Sequence, residues 1–245
     1  MTSEPTTSGL KKTLFLHIQK TGGTSVVNMV RKHYRSLCSH GDCLGHPPSE
    51  FRDVEFVSGH FGYSYFEELM KDRYLFTFLR DPIDRIISFY YFCKTRDPKE
   101  YEVYQRAHNL VLEDFLYAGL KEKLVKFYIW NNQTWQLACG FCNPKGLWHD
   151  DFFSDELLRL AIDHVMTFSR IGITETLEAD KKLIAGDLGF DYVASEPYNV
   201  NPDRPRKEDI SPLALEILHD LTRLDRELYD RIIQARSARI SKRMP

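Results

Sequence analysis

Several things are missing from this 245-residue chain, and each absence removes a class of function. No apolar run approaches the ~20 residues that a membrane-crossing helix needs. After Lys11-Lys12 the first such run is only Leu14 to Ile18 with His17 inside it, too short for the apolar core of a signal peptide. No G-x-x-x-x-G-K-[ST] or G-x-G-x-x-G pattern occurs, so neither a Walker A nor a dinucleotide fingerprint is present. Internal repeats are absent, which sets solenoids aside. Net charge is −2, from 33 basic and 35 acidic residues, so no global field draws the chain to nucleic acid. Local basic clusters (Arg31-Lys32-His33-Arg35, Lys121-Lys123-Lys126, Arg204-Arg206-Lys207) read as solvated faces.

Cysteine is sparse as well: Cys38, Cys43, Cys93, Cys139 and Cys142. Cys38 and Cys43, with His40 and His46 nearby, and Cys139-x-x-Cys142 have zinc-ligand chemistry. The gap between the two pairs is far longer than in compact zinc motifs, so the expectation is no metal and free thiols, with one disulfide the lesser alternative.

What is present suits one α/β domain. Hydrophobic content of 42%, with 13% aromatic, is enough for a core. Strands are expected at about Leu14–Ile18, Val54–Val57, Tyr74–Leu79 and Phe168–Ile173. Tyr74–Leu79 is a near-continuous apolar run suited to a central parallel strand. Helices are expected at about Thr24–Arg35, from Asp81-Pro82 onward, through much of 97–148, at Leu177–Leu188, and once more from near Ser211. Asp81 reads as an N-cap with proline in the first turn. Ser36–Ser49 and Tyr192–Arg206 read as loops. Residues 1–10 are expected to be a disordered tail, 11–235 the domain, and 236–245 a basic tail. The fold class is therefore α/β, a single domain with a central parallel sheet flanked by helices.

The densest chemistry lies in Leu14 to Ser25, LFLHIQKTGGTS. A strand ending in a glycine-rich turn that opens a helix is an anion site, because the helix N-terminus presents unpaired N–H groups and a partial positive charge. Glycine allows close backbone approach and Lys20 adds a full charge. A second anion site is legible at Arg80-Asp81-Pro82 with Ser88 on the following helix. The guanidinium of Arg80 can hold a phosphate by two N–H bonds, and Ser88 can add a hydroxyl.

His17, Ile18, Lys20, Thr21, Gly22, Gly23, Thr24 and Ser25 match eight positions of the nine-residue H-I-P-K-T-G-G-T-S pattern, with Gln19 in place of proline. Arg80, Asp81, Pro82, Arg85 and Ser88 match R-D-P-x-x-R-x-x-S. On these residues the chain resembles the carbohydrate O-sulfotransferases, of the heparan sulfate 2-O/6-O type. Weaker likenesses lie at Asn131-Asn132-Gln133-Thr134-Trp135 (N-R-Q-T-R in that family), Ile171–Glu175 (G-x-T-E, read as structural), Asn199–Asn201 with Arg204 and Arg206, and Leu224–Asp230.

The resemblance implies a P-loop-like sulfotransferase fold. The donor would be 3′-phosphoadenosine 5′-phosphosulfate and the released product adenosine 3′,5′-bisphosphate. Lys20, Thr21, Gly22, Gly23, Thr24 and Ser25 would hold the phosphosulfate. Arg80 and Ser88 would hold the 3′-phosphate, which ATP lacks, and Asn201 and Arg204 would close over the nucleotide. An acceptor hydroxyl, expected on a carbohydrate, would attack sulfur in line. His60, in Ser-Gly-His-Phe at a strand end, is the expected general base and acceptor contact. Glu67 and Glu68 are the fallback, and His17 is expected to be buried in the first strand.

Lys20 would stabilise the leaving phosphate. Gln133 and Trp135 would face the acceptor. Asn132 and Trp135 stand where the family segment carries arginines, which points away from a highly anionic acceptor and lets Trp135 stack on a sugar ring. The chain would be cytoplasmic if complete, as the intact Met1 favours, and otherwise a soluble lumenal catalytic fragment. The alternatives are a nucleotide or small-molecule kinase of related topology, with magnesium and an arginine lid, or a non-catalytic module that binds anionic ligands.

Overall fold

The computed structural model describes residues 9–43, 45–141, 153–194, 205 and 209–241. Along them run β1 (Thr13–Leu16), α1 (Gly23–Val30), β2 (Leu37–Cys38), α2 (His40–Cys43), β3 (Phe56–Gly59), α3 (Tyr63–Phe66), β4 (Tyr74–Leu79) and α4 (Pro82–Lys94). Then come α5 (Glu102–Asn109), α6 (Leu112–Lys121), α7 (Lys123–Ile129), α8 (Asn132–Ala138), α9 (Ser154–Val165), β5 (Arg170–Ile173), α10 (Leu177–Leu188), α11 (Pro212–Leu221) and α12 (Arg223–Ser241). The chain divides into two compact units, one drawn from 1–79, 139–146 and 164–198, the other from 80–138, 147–163 and 199–245.

The first unit holds the sheet. Its five strands are all parallel, in the order β2-β3-β1-β4-β5. The α/β class with a parallel sheet flanked by helices follows from this order and from what packs on the sheet. Phe15, Phe56, Phe76 and Phe78 share one face and meet Val26 and Val30 of α1 and Ile184 and Leu188 of α10. Phe15 and Phe76 stack at 4.6 Å between ring centroids. Each phenylalanine buried this way contributes about 1.5–3 kcal/mol. Gly172 of β5 is glycine because a methyl group there would lie 2.4 Å from the Phe78 ring.

All six residues of β4 are buried, as the apolar run implies. The strand lies between β1 and β5, however, and the middle strand is β1. β3 begins two residues later than its apolar run suggests, because the ladder sets Phe56 opposite Thr13. β2 emerges from the segment read as loop. It pairs through only two residues, too few to show a period. α1 stops at Val30, short of Arg35. His33 N–H turns back to the Val30 carbonyl, and Tyr34 swings inward so that its hydroxyl meets Thr13 Oγ1 at 2.8 Å.

The second unit is helical. Its core gathers Ile83, Ile86, Ile87 and Tyr90 of α4 with Phe115 and Leu116 of α6, Val125 and Ile129 of α7, and Leu218 and Leu221 of α11. Asp81 caps α4 by accepting from Asp84 N–H, with Pro82 in the first turn. The single last helix expected from Ser211 is two helices. Thr222 breaks it, and Asn131 Oδ1 accepts from Leu224 N–H at 2.7 Å and Asp225 N–H at 3.1 Å to start α12 afresh. α12 continues through the first part of the basic C-terminal stretch. Most of the expected N-terminal tail lies outside the described residues.

At the amino end of the sheet, Asp187 accepts from Tyr74 Oη at 2.5 Å and Arg170 Nε at 2.6 Å. Burial alone would raise its pKa. The hydrogen bonds and charge of Arg170, with the Tyr74 hydroxyl, outweigh burial and hold the carboxyl below its usual range. A depressed carboxyl pKa contributes stability above the unfolded value, and that contribution is lost as pH falls through the folded value. Asp187→Asn is therefore expected to cost about 1–3 kcal/mol at neutral pH. Denaturant titrations along a pH series should show the gap to wild type closing below about pH 4.

Candidate functional site

Four strands deliver their carboxyl ends to one edge of the sheet, with Leu16 opposite Gly59 and Thr77, and Leu79 opposite Ile173. Open α/β sheets bind ligands at this edge. β1 hands over here to the turn Gln19-Lys20-Thr21-Gly22, and α1 begins. Lys20 has φ 69° and Gly22 φ 84°, so both lie in the left-handed region. Glycine adopts it without strain, whereas for lysine it is uncommon and of the kind stored at functional turns.

Gly22 is the N-cap of α1, and no side chain caps the helix. The Ser25 and Val26 N–H groups return to the Gly22 carbonyl. Those of Gly23 and Thr24 lie at helix positions that have no intrahelical acceptor. No acidic residue occupies the first turn of α1, so its own residues leave the positive end of the dipole uncompensated. Thr24 is exposed at this end, and Lys20 and Ser25 are half-buried. Thr21 is fully buried. Its hydroxyl donates to the Ile18 carbonyl at 2.8 Å, so its side chain braces the turn from inside.

His17 lies just past β1, half-buried and not within the strand as expected. Its N–H donates to the Gly59 carbonyl. Its ring stacks on Phe15 and covers Gly23 so closely that a methyl group there would lie 1.7 Å from Nε2. On its other side stands His60, 4.2 Å away between ring centroids. One imidazole thus connects the start of α1 to the expected base.

His60 Nδ1 lies 2.8 Å from the His17 carbonyl oxygen. A carbonyl only accepts, so Nδ1 carries the hydrogen, and Nε2 bears the lone pair of the neutral ring. The fallback carboxylates are less suited: Glu67 and Glu68 are both exposed, and Glu68 pairs with Arg52 at 3.3 Å.

The second unit organises Arg80, Ser88, Gln133 and Trp135. Arg80, which follows β4 directly in the chain, has its peptide held from both sides. Its N–H donates to Gln133 Oε1 at 3.0 Å, and its carbonyl accepts from Gln133 Nε2 at 2.9 Å. Gln133, expected to face the acceptor, is fully buried, and its amide holds the Arg80 backbone. Trp135 is 1% exposed, which leaves no ring face open to a sugar. Ser88 is half-buried on α4.

Behind Gln133 lies a buried charge network. Asp225 of α12 accepts from Gln133 N–H at 3.2 Å, Thr134 N–H at 2.7 Å and Thr134 Oγ1 at 2.7 Å, which caps α8. Asn131, just before α8, caps α12 in return. Burial raises the Asp225 pKa despite those bonds and the charge of Arg85. Arg85 is fully buried, donates to the Tyr128 carbonyl, and is pushed down to about 10. Burial is the main cause; Asp225 opposes it and the charge of Arg80 adds to it.

Neither the Gln133 clamp nor the Asn131–Asp225 exchange was found from sequence, because their partners lie 53 and more than 90 positions apart. The G-x-T-E stretch has structural roles in support of its reading: Gly172 makes room for Phe78, and Thr174 Oγ1 donates to the Leu79 carbonyl at 3.0 Å. Cys38 and Cys43 are buried thiols whose pKa values rise chiefly through burial. Asn201, Arg204 and Cys142 lie outside the described residues.

A family model described as "Sulfotransferase family" matches residues 5–231, a span that takes in parts of both compact units. A comparison with curated proteins returns no match. Among solved structures, "Crystal Structure of Sulfotransferase from Alicyclobacillus acidocaldarius" is similar with a TM-score of 0.49 and 14% identity, covering 89% of this chain and 96% of that one.

Two substitutions separate scaffold from ligand grip. Lys20→Gly removes a charge but also relieves a left-handed lysine. Its thermal stability should stay within about 1 kcal/mol of wild type, while affinity for a nucleotide phosphate, read by calorimetry, falls about tenfold or more. Asp225→Ala strands buried Arg85 and uncaps α8, and urea unfolding should show a loss of about 3–5 kcal/mol.

Proposed function

The chain belongs to the sulfotransferase family, and from that premise we propose that it moves a sulfuryl group from 3′-phosphoadenosine 5′-phosphosulfate to an acceptor hydroxyl. The observation that carries the reading is the position of His60. It stands against His17, which itself covers the start of α1, and the His17 carbonyl fixes its tautomer. A base with its lone pair on Nε2 beside an anion-binding turn is what sulfuryl transfer to a hydroxyl requires.

In this reading the phosphosulfate lies on Lys20 and the N–H groups at the start of α1, with Thr24 and Ser25 adding hydroxyls. Thr21, Gly22 and Gly23 shape the turn. Arg80 and Ser88 take the 3′-phosphate, and Gln133 keeps the Arg80 backbone in place. The acceptor oxygen attacks sulfur and gives its proton to His60 Nε2. The bond from sulfur to the phosphate oxygen breaks, and adenosine 3′,5′-bisphosphate leaves. Negative charge gathers on that oxygen, where Lys20 and the backbone N–H groups stabilise it.

A carbohydrate acceptor, of the class the heparan O-sulfotransferases use, is favoured by the two motif likenesses alone. Buried Gln133 and Trp135 shape the protein behind the site and are not assigned to acceptor contact. Among the described residues no helix is long and apolar enough to cross a membrane.

Turnover assayed with sulfate-labelled donor and a panel of glycans and small hydroxyl compounds should fall about 10²–10⁴-fold in His60→Ala. Binding of adenosine 3′,5′-bisphosphate should persist. Unchanged turnover removes His60 from the mechanism. By calorimetry the bisphosphate should bind about 10- to 100-fold more tightly than 5′-AMP; equal affinities would refute the 3′-phosphate grip.

A further inference from the structure

We propose that Lys181 is a positioning residue of the donor site, which holds the Ser25 hydroxyl as a hydrogen-bond donor toward the 5′-phosphosulfate. The inference rests on the assignment of the Lys20–Ser25 turn to that group. Lys181 belongs to α10, whose first residue, Leu177, packs against the turn: a methyl group on Gly22 would lie 3.1 Å from Leu177 Cδ2. Sequence reading expected a helix at Leu177–Leu188 and gave it no role.

The Lys181 side chain is 0% exposed. Its ammonium donates to Ser25 Oγ at 2.9 Å and to Glu178 Oε1 at 2.7 Å, and lies 5.4 Å from the Tyr192 ring centroid. An ammonium has no lone pair, so Ser25 Oγ accepts in this contact and its own proton points away from the lysine. The hydroxyl is thereby made a better donor, at the first turn of α1 where the backbone N–H groups also point.

A lysine serving only to pair with Glu178 would not need burial. Glu178 is 53% exposed, and pairs spaced i,i+3 form readily on helix surfaces. Burying an ammonium is costly unless it is compensated. Here one hydrogen bond reaches outward to a carboxylate and the other reaches into the turn. The turn lies at the positive end of a helix that has no acidic residue in its first turn. The Lys181 ammonium, paired on its other side with Glu178, leaves positive charge behind that turn, which adds to the grip of Lys20 on an anion.

The test measures affinities for adenosine 3′,5′-bisphosphate and adenosine 3′-phosphate by calorimetry in wild type, Lys181→Met, Ser25→Ala and the double variant. Methionine keeps an unbranched chain in the buried space, and Glu178 is left in contact with water. Lys181→Met should bind the bisphosphate about 10- to 100-fold more weakly while its affinity for adenosine 3′-phosphate stays at the wild-type value. A defect of folding alone would move both ligands together.

Because Lys181 acts through Ser25, the double variant should lose no more than the weaker-binding single variant. Bisphosphate affinity unchanged in Lys181→Met, or losses that add in the double variant, would overturn the role of Lys181. Should Lys181→Met fail to fold, Ser25→Ala decides: undiminished bisphosphate affinity there overturns the inference. A wild-type protein that bound neither nucleotide would overturn the donor-site reading itself, a result distinguishable from these.

Discussion

The carboxyl end of β1 has to finish a sheet ladder and open an anion turn within a few residues, and His17 is where both demands meet. Its N–H makes a bond to the Gly59 carbonyl, continuing the pairing with β3. Its carbonyl, turned out of the ladder, is taken by His60 Nδ1. Its ring fills the space over Gly23, which is why no larger residue fits at the first position of α1. The turn, the proposed base His60 and the strand end are therefore held by one residue through backbone and ring alike. A histidine at that position reads from sequence as a polar interruption of an apolar run. Its meaning depends on where β3 ends, which depends in turn on the register of Phe56 against Thr13.

In the helical unit the same economy appears in side chains that replace backbone. The Gln133 amide pairs with the Arg80 peptide as another strand would, giving the residue after β4 a partner for both its N–H and its carbonyl. Gln133 stays put because its own N–H is anchored to Asp225, and Asp225 stays put because Asn131 caps the helix that carries it. Asn131 and Asp225 each satisfy helix-end donors that would otherwise be orphaned in a buried place. Hydrophobic substitutes for Arg85 and Asp225 could pack as well, but they could not reproduce the geometry that reaches the Arg80 peptide.

How much of this was legible in the sequence follows from how local each feature is. Leu177–Leu188 and the Asp81-Pro82 start of α4 were readable to the residue, because periodicity and capping act within a few positions. The turn that ends β1 and opens α1 was readable because two adjacent glycines after an apolar run mark such a turn, and Gly22 there has a positive φ. β2 was not, since two paired residues carry no period. Neither was the break at Thr222, imposed by a side chain 93 positions away. Gln133 and Trp135 were read as acceptor contacts from the likeness of their segment to N-R-Q-T-R; both are buried, which no local pattern reports. Lys181 went unnoticed for the opposite reason: a lysine in a helix reads as surface, and its burial here is a matter of tertiary packing.

The places where local rules fail share a direction. Lys20 holds a backbone conformation that favours glycine, Lys181 hides a full charge, and Arg85 and Asp225 are ionisable groups in a core. Each is unfavourable taken alone, by an amount comparable with a sizeable part of a domain's net stability. A sequence under no constraint but folding would replace them with glycine, methionine or leucine. Their positions are not scattered. Lys20 is in the first anion motif and Lys181 touches that motif through Ser25; Arg85 lies within the second, and Asp225 anchors the glutamine that holds its first arginine. Strain and buried charge collected around two anion motifs, in a chain of near-zero net charge, are what the proposed grip on a doubly phosphorylated donor at chosen points would call for, in place of a field that attracts anions over the whole surface.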